Sequence, residues 1–181
     1  PSVPGDRFTN RKDRLRHLVR ILTTAERRSE AAIVYVPTVA LAEQVAAQVQ
    51  QAGMIARPYH GRLDPWSRQN VEELFRDGEV DVIVATKAFG MGIDRSDVRY
   101  VIHLGCPADL ESYYQEAGRA GRDGEPSWCL LLPIPASDRT TQEWFIEQVG
   151  DLDSTLDEAA SLLKGTGHGE RLLDLEEFAS Q

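Results

Sequence analysis

The stretch AIVYVPTVALAEQVAAQVQQAG, residues 32–53, determines the class of fold. It opens with a short apolar run rich in β-branched residues, Ala32 to Val36, which is typical of a buried strand. A Pro-Thr pair ends the strand, and the Thr38 hydroxyl can cap the Ala- and Gln-rich helix that we predict over 39–51. Gly53 ends that helix. A buried strand followed at once by a helix is the repeating unit of an α/β domain.

The same alternation of short apolar runs and helices continues on both sides of this stretch. Further helices are predicted over 11–27, 65–76, 109–119 and 137–149, and further strands over 54–59, 81–85, 98–104 and 128–132. Apolar strands joined by helices indicate a parallel sheet covered on both faces. We therefore expect one doubly wound α/β domain over residues 1–149, in which ligands bind beyond the carboxyl ends of the strands.

Residues 150–181 differ in composition from this domain. They include a Gly-rich stretch over 165–169, and residues 151–181 carry eight acidic against two basic side chains. We expect a short, acidic, helical C-terminal appendage or the start of a following domain. The chain begins with Pro rather than Met, which indicates a processed protein or an excerpt of a longer one.

Composition and charge exclude several classes of protein. Of the 181 residues, 41% are hydrophobic and 27% are charged, which is ordinary for a globular chain and unlike a fibrous or disordered one. No apolar run approaches the roughly 20 residues of a membrane span, and no apolar secretory segment opens the chain. The net charge of −9 argues against a uniformly basic nucleic-acid binder, although residues 1–28 hold eight basic against three acidic side chains. Two cysteines, Cys106 and Cys129, make neither a disulfide scaffold nor a zinc site of their own, so we expect no zinc and a reducing cytoplasmic setting.

The densest chemical signal is QEAGRAGRDG, residues 115–124. Arg119 and Arg122 are three apart, a spacing that predicts both on the same side of a helical turn. Arginine presents a planar, permanently charged fork that suits phosphate oxygens, and Gly118 and Gly121 allow close approach of a ligand or another backbone. The pattern favours polyphosphate recognition. The alternative is two surface arginines that pair with neighbouring carboxylates, namely Glu111, Glu116 or Asp123.

Two weaker signals follow predicted strands. Residues 85–94, ATKAFGMGID, place a hydroxyl, an ammonium and two glycines where backbone N–H groups can hold a phosphate, although the same pattern is typical of a structural loop. His60 follows another strand and is either a phosphate donor or a solvated loop histidine. His103 lies inside an apolar strand, and we expect it to be a core residue with its hydrogen bonds satisfied.

Taken together and in this order, these segments resemble the second RecA-like domain of a superfamily 2 helicase. Residues 32–49 resemble motif IV with its helix, residues 59–94 resemble the stretch ending in motif V, and residues 103–124 resemble motif VI. The sequence AFGMGI, and SYYQE before GRAGRDG, are similar to the RecQ family of DNA helicases in particular. The resemblance covers roughly residues 10–135. It implies a RecA-like three-layer sandwich with a mostly parallel central sheet, followed here by the short acidic helical tail.

The resemblance also implies a role for each matching residue. ATP would lie in a cleft between two RecA-like domains, with Arg122 as the arginine finger at the γ-phosphate and Arg119 as its partner. Gln115 would help couple nucleotide to DNA, and Asp94 would lie near the ribose. The residues that would follow the backbone of single-stranded DNA are Thr38, His60, Gly61 and Thr86.

By this resemblance the chain is the second motor domain of an ATP-dependent DNA helicase acting on single-stranded or forked DNA. The first RecA-like domain of the same polypeptide would supply the phosphate loop and the Mg²⁺ carboxylates. This chain contains no GxxxxGK[ST] and no Asp-Glu-x-His segment, so alone it is not expected to hydrolyse ATP. The family's four-cysteine zinc element is also absent from the sequence, and the expected location is the bacterial nucleoid or the eukaryotic nucleus.

Two other functions are compatible with the residues. The chain could be a non-catalytic RecA-like interaction module that binds a partner through its acidic tail. It could also be half of an RNA helicase, because only the Gln115-Glu116 pair, where DEAD-box RNA helicases have His-Arg, argues for DNA.

Overall fold

The computed structural model describes residues 11–24, 30–90, 95–105, 107 and 109–132 of this chain. The predicted helix over 137–149, the tail over 150–181 and the boundary between them lie outside the described residues. In the described part, helices and strands alternate. The helices are α1 (Arg11–Thr23), α2 (Val39–Gln51), α3 (Pro65–Arg76) and α4 (Leu110–Ala117), and the strands are β1 (Ala31–Tyr35), β2 (Ala56–Tyr59), β3 (Val82–Ala85), β4 (Val98–Leu104) and β5 (Trp128–Leu132).

Most bounds match the sequence prediction, although α1 ends at Thr23 and Thr24 is no longer helical, short of the predicted residue 27. Two further differences have clear physical causes. β2 begins at Ala56 rather than Met54, because the backbone there has other partners: Met54 donates to the carbonyl of Val49 at 3.3 Å, and Ile55 donates to the Asp81 carboxylate at 3.0 Å. α4 ends at Ala117 rather than Arg119, because the N–H groups of Arg119 and Ala120 bond only three residues back, to the carbonyls of Glu116 and Ala117. The helix thus passes into a series of tight turns.

The five strands form one parallel sheet with β1 at its centre. The strand order is β2-β3-β1-β4-β5, and every neighbouring pair is parallel. In the register of β1 with its neighbours, Ile33 lies beside Ile83 of β3 and Val101 of β4. All carboxyl ends therefore meet at one edge of the sheet, which is where the sequence places its candidate ligand-binding loops.

Helices cover both faces of this sheet. From β1 the chain runs through α2 to the edge strand β2, and from β2 it runs back through α3 to β3. These two connections run in opposite directions across the sheet. Because both crossovers are right-handed, α2 and α3 lie on opposite faces. Helix α1 packs against α2, and α2 packs on β2 and β3. On the other face, Val71 and Phe75 of α3 share a buried cluster with Ile33. The result is the predicted three-layer α/β sandwich.

The segment that leads into β4 is fixed to the end of α3 by Arg95. Its guanidinium donates to the carbonyls of Phe75 at 2.8 Å and Val80 at 3.0 Å, lies over the Phe75 ring, and forms a two-point ion pair with Asp97 at 2.7 and 3.1 Å. These hydrogen bonds from Arg95 hold the pKa of the Asp97 carboxyl below its usual range. The clamp sets where β4 starts, and therefore its register beside β1.

We expect Asp97→Asn to lower the free energy of unfolding by about 1 kcal/mol at pH 7, the upper range for a partly exposed ion pair. A carboxyl with a lowered folded pKa stabilises the fold above its unfolded pKa of about 3.9, and this stabilisation is lost as the pH falls through the folded pKa. The difference between variant and wild type should therefore shrink in urea titrations from pH 7 to pH 3. Glu79→Gln, at an exposed carboxylate with no ion pair among the described residues, should show no difference at either pH. A pH-independent deficit in Asp97→Asn would contradict the clamp.

Candidate functional site

The loops after three neighbouring strands bring the first group of predicted site residues to one edge. Thr38 follows β1, Thr86 follows β3 and His60 follows β2, and these strands are adjacent in the order β1, β3, β2. Neighbouring strands are about 4.8 Å apart, so the loops that carry these three residues leave the sheet close to one another. The backbone therefore brings Thr38, Thr86 and His60 to one edge of the sheet.

Thr38 and Thr86 both shape the backbone as well as offering a hydroxyl. The exposed Thr38 caps α2, its hydroxyl accepting from the N–H of Leu41 at 3.3 Å, as the sequence predicts. Thr86 is half-buried, donates from its N–H to the carbonyl of Tyr59 at 3.1 Å, and accepts the N–H of Phe89 at its own carbonyl. Phe89 is fully buried against Tyr59 and Phe75, so this loop is fixed at its far end by a core side chain.

His60 is buried, with 3% of its surface exposed, so the alternative of a solvated loop histidine is wrong. Its Nε2 lies 3.5 Å from the carboxylate of Glu43 on α2. Neither ring nitrogen has a hydrogen-bond partner in the described part of the chain. A buried imidazole with unused nitrogens is costly unless something binds it. Gly61 follows it in an exposed turn.

The second group of site residues meets at the end of β1. The guanidinium of Arg119 donates to the carbonyl of Gly90, in the loop after β3, and lies beside the hydroxyl of Tyr35, the last residue of β1. Tyr35 in turn donates to the carbonyl of Phe89 at 3.2 Å. Burial raises the pKa of Tyr35 to about 12, although the positive charge of Arg119 opposes that shift, so the hydroxyl stays neutral and can donate.

A buried hydrogen bond between His103 and Glu116 supports this cluster. Nε2 of His103 lies 2.9 Å from the carboxylate of Glu116, and the His103 ring stacks on Tyr35 with centroids 5.3 Å apart and contacts Tyr113 at the same distance. His103 is thus the core residue that the sequence predicts, but only partly satisfied, because its Nδ1 has no partner among the described residues. Glu116 and Arg119 are three apart, so the pair positions the turn that carries the arginine.

The prediction that Arg119 and Arg122 lie on one helical turn is wrong. α4 ends at Ala117, and Gly121, with a φ of +61°, lies between the two arginines. Their surroundings consequently differ. Arg119 is half-buried and its Nε has no hydrogen-bond partner in the part of the chain described, whereas Arg122 is exposed and donates from Nε to the carbonyl of Gly118 at 3.2 Å.

The Gly-rich turn is fixed to the start of β4. The N–H of Gly121 donates to the carbonyl of Val98 at 2.9 Å, and the N–H of Asp123 donates to that of Ser96 at 3.3 Å. Asp123 also forms an ion pair with Arg99. These contacts tie the arginine-bearing turn to the same strand that carries His103.

The remaining predicted residues lie apart or outside the description. Gln115 is exposed on α4 and donates to the Glu111 carboxylate at 3.1 Å. Asp94 belongs to residues 91–94, outside the described part. Within that part, no group of three or more His, Cys, Asp or Glu side chains is placed to hold a metal ion. Nor does any helix described here have the length and apolarity to cross a bilayer.

Sequence reasoning missed Tyr35 and the role of His103 and Glu116. Tyr35 stands in an apolar strand and reads as a core residue, and its hydroxyl partner is 54 positions away. His103 and Glu116 are 13 apart on different elements. The only available signal was a histidine inside an apolar strand, which points to a buried partner without saying which residue it is.

In chemical terms the site offers cations and few anions for a ligand. The guanidinium of Arg119 is held in place, and its buried Nε–H has no partner among the described residues. The guanidinium of Arg122 is exposed. The buried imidazole of His60 and the hydroxyls of Thr38 and Thr86 lie in the neighbouring loops. Such a set suits phosphate oxygens, which accept hydrogen bonds and carry negative charge.

Comparison with known proteins gives a consistent result. Residues 13–124 match the family described as the helicase conserved C-terminal domain. The chain is 48% identical over 121 residues to the ATP-dependent DNA helicase RecQ of Bacillus subtilis, covering 67% of this chain and 20% of that protein. It is 43% identical over 130 residues to the mouse bifunctional 3'-5' exonuclease/ATP-dependent helicase WRN, covering 72% of this chain and 9% of that protein. The chain thus spans a fifth or less of the length of these relatives.

Solved structures share the fold. The Escherichia coli DEAD-box protein SrmB, solved bound to the regulator of ribonuclease activity A, superposes with a TM-score of 0.63 at 25% identity, covering 72% of this chain and 75% of that one. The parallel sheet and its helices are therefore those of a RecA-like domain.

We expect Gly121→Ala to destabilise the protein by about 2–4 kcal/mol, since a Cβ there meets the Ser127 hydroxyl oxygen at 2.5 Å and the Glu125 carbonyl at 2.9 Å in a backbone with positive φ. Gly124→Ala is the matched control. Gly124 also has positive φ, at +84°, but its Cβ would meet nothing within 4 Å, so only the backbone cost of about 1 kcal/mol applies. Chemical denaturation of both variants measures the difference. Equal losses would mean that the turn does not pack as described.

Proposed function

The chain belongs to the helicase C-terminal domain family and is the RecQ-type form of that domain, and on this premise we propose that it is the second motor domain of an ATP-dependent DNA helicase. The observation that carries the proposal is a pair of arginines in different surroundings, with Arg119 half-buried at the end of β1 and Arg122 exposed nearby. The guanidinium of Arg119 is held by the Gly90 carbonyl beside the Tyr35 hydroxyl, and its buried Nε–H has no partner among the described residues, which is costly within the domain alone. A phosphate from a neighbouring site would satisfy it.

In this proposal ATP lies between this domain and a first RecA-like domain of the same polypeptide. That other domain holds most of the nucleotide and its Mg²⁺. Arg122 is the arginine finger, and its exposed side chain lets it reach the γ-phosphate. Arg119 is its fixed partner. Positive charge at the γ-phosphate stabilises the charge that develops on the phosphoryl oxygens during transfer to water. Gln115 and Asp94 complete the nucleotide contacts, at the coupling position and near the ribose.

Single-stranded DNA would follow the carboxyl edge on the row formed by Thr38, Thr86 and His60 with Gly61. The hydroxyls and the N–H groups of the loops suit phosphate oxygens and do not distinguish bases, as a translocating motor requires. Nδ1 of His60 is buried and has no hydrogen-bond partner among the described residues, and in this proposal a phosphate of the bound DNA supplies one. The native protein would therefore work where DNA is, in the nucleoid or the nucleus.

One loop would connect the two ligands. The loop after β3 begins at Thr86, a proposed DNA contact, and four residues later its Gly90 carbonyl accepts from Arg119, a proposed ATP contact. Between them Phe89 is anchored in the core, so the two ends cannot move independently. Opening and closing of the cleft during each ATP cycle would thus shift the grip on DNA.

In the native protein, we expect Arg122→Ala to lower the kcat of DNA-stimulated ATP hydrolysis at least about a hundredfold and to leave single-stranded DNA affinity nearly unchanged. The charge at the γ-phosphate is lost, while the row at the carboxyl edge is untouched. Arg16→Ala is the control, because Arg16 is an exposed arginine on α1 whose ion pair with Asp13 is local. Steady-state kinetics and fluorescence anisotropy provide the two readouts. Near-normal turnover in Arg122→Ala would contradict the assignment.

The same native protein distinguishes this proposal from half of an RNA helicase and from a non-catalytic module. With a non-hydrolysable ATP analogue, we expect tighter binding to single-stranded DNA than to RNA of the same sequence, and unwinding of forked DNA when ATP is supplied. Affinity should fall as salt rises, because the contacts are to the backbone. Preference for RNA would support the RNA helicase. The absence of any nucleotide-dependent nucleic-acid binding would leave only the interaction module.

A further inference from the structure

We infer that Trp66 is a stacking platform for an unpaired base of single-stranded DNA, placed beyond the row of backbone contacts. The inference rests on the proposed function and deepens it by adding a base contact. Trp66 is 73% exposed, the most exposed large hydrophobic side chain in the described part of the chain. A tryptophan left this open on a well-packed domain is unusual, because its indole buries a large apolar area when covered.

The fold places Trp66 at the same edge as the proposed DNA row. β2 is the outermost strand next to β3, and its carboxyl end passes directly into His60. A turn follows, closed by the N–H of Leu63 donating to the carbonyl of His60 at 3.1 Å, and Trp66 is the second residue of the helix that begins after it. Single-stranded DNA that passes Thr38, Thr86 and His60 would thus continue towards the start of α3, which carries the indole.

The helix start that carries the indole is rigid. Asp64 caps α3, with its carboxylate accepting from the N–H of Ser67 at 2.9 Å and from the Ser67 hydroxyl at 2.6 Å. Pro65 occupies the first helical position and fixes the backbone there. A preformed aromatic surface loses little conformational entropy when a base stacks on it.

The local charge favours nucleic acid over a protein partner. Arg62 is exposed and makes no ion pair with any described residue. Asp64 is the one carboxylate in residues 60–68 and stays ionised, since hydrogen bonds from Ser67 hold its pKa below the usual range, but Arg62 and Arg68 outnumber it. An aromatic platform beside an uncompensated cation is the combination that binds a base and its phosphate. A protein interface usually shows an extended apolar patch, whereas the other exposed large hydrophobic side chains of the described part, Ile55, Tyr114 and Leu131, belong to other segments of the chain.

The test measures single-stranded DNA affinity of the native protein, with a non-hydrolysable ATP analogue, by fluorescence anisotropy at several salt concentrations. We expect Trp66→Ala to weaken binding roughly five- to a hundredfold, the usual range for one lost base stack, without changing the salt dependence. Trp66→Phe should restore most of the affinity. Arg62→Ala should instead lower the slope of log K against log salt by about one.

Ile55→Ala is the matched control. Ile55 is the next most exposed large hydrophobic residue, at 50%, and it immediately precedes β2, at the opposite edge of the sheet. The Ile55→Ala variant should bind single-stranded DNA with the affinity of the wild type. If wild type binds and unwinds DNA but Trp66→Ala binds equally well, or Ile55→Ala loses as much, the stacking inference is overturned and the proposed function stands. If wild type itself binds no single-stranded DNA, both fall together.

Discussion

The register of β1 between β3 and β4 is the constraint on which the rest of the molecule depends. Ile33 lies beside Ile83 on one side and Val101 on the other, and all three side chains are fully buried. The sheet is buried on both faces, so a one-residue change in the register of β1 would move each of its side chains to the opposite face of the sheet. This register brings the loops after β1, β3 and β2 to one edge and places Tyr35 beside His103.

Tyr35, the last residue of β1, connects that register to the candidate site. Its ring stacks on His103, and its hydroxyl links the loop after β3 to Arg119. The arginine turn is also fixed at its other end, where Gly121 bonds to the first residue of β4. In the proposed motor, force would pass between nucleotide and DNA, and the contacts proposed for both adjoin the central strands β3, β1 and β4, with only His60 and Gly61 following the edge strand β2. That arrangement explains how the half-buried guanidinium of Arg119 is held although no carboxylate among the described residues forms an ion pair with it.

Much of the fold could be predicted because it depends on local signals. The strand-turn-helix unit around Thr38, the Asp-Pro start of α3 and the long apolar runs of β4 and β5 each specify their element within a few residues. The arginine motif was likewise visible from its spacing. The geometry of that motif was not, because the helix stops where Gly121 turns into positive φ and where the chain must meet Val98. Partners such as Phe89 for Tyr35 are distant in sequence, and no local pattern identifies them.

The measurement that tests the account most directly is a structure of the native protein with a non-hydrolysable ATP analogue and single-stranded DNA. We expect the Arg122 guanidinium to lie within about 3 Å of γ-phosphate oxygens, the usual distance of a charge-assisted hydrogen bond. We also expect Arg119 to keep its bond to the carbonyl of Gly90. A nucleotide bound with Arg122 turned away and paired only within its own domain would contradict the central claim that this domain completes the ATP site.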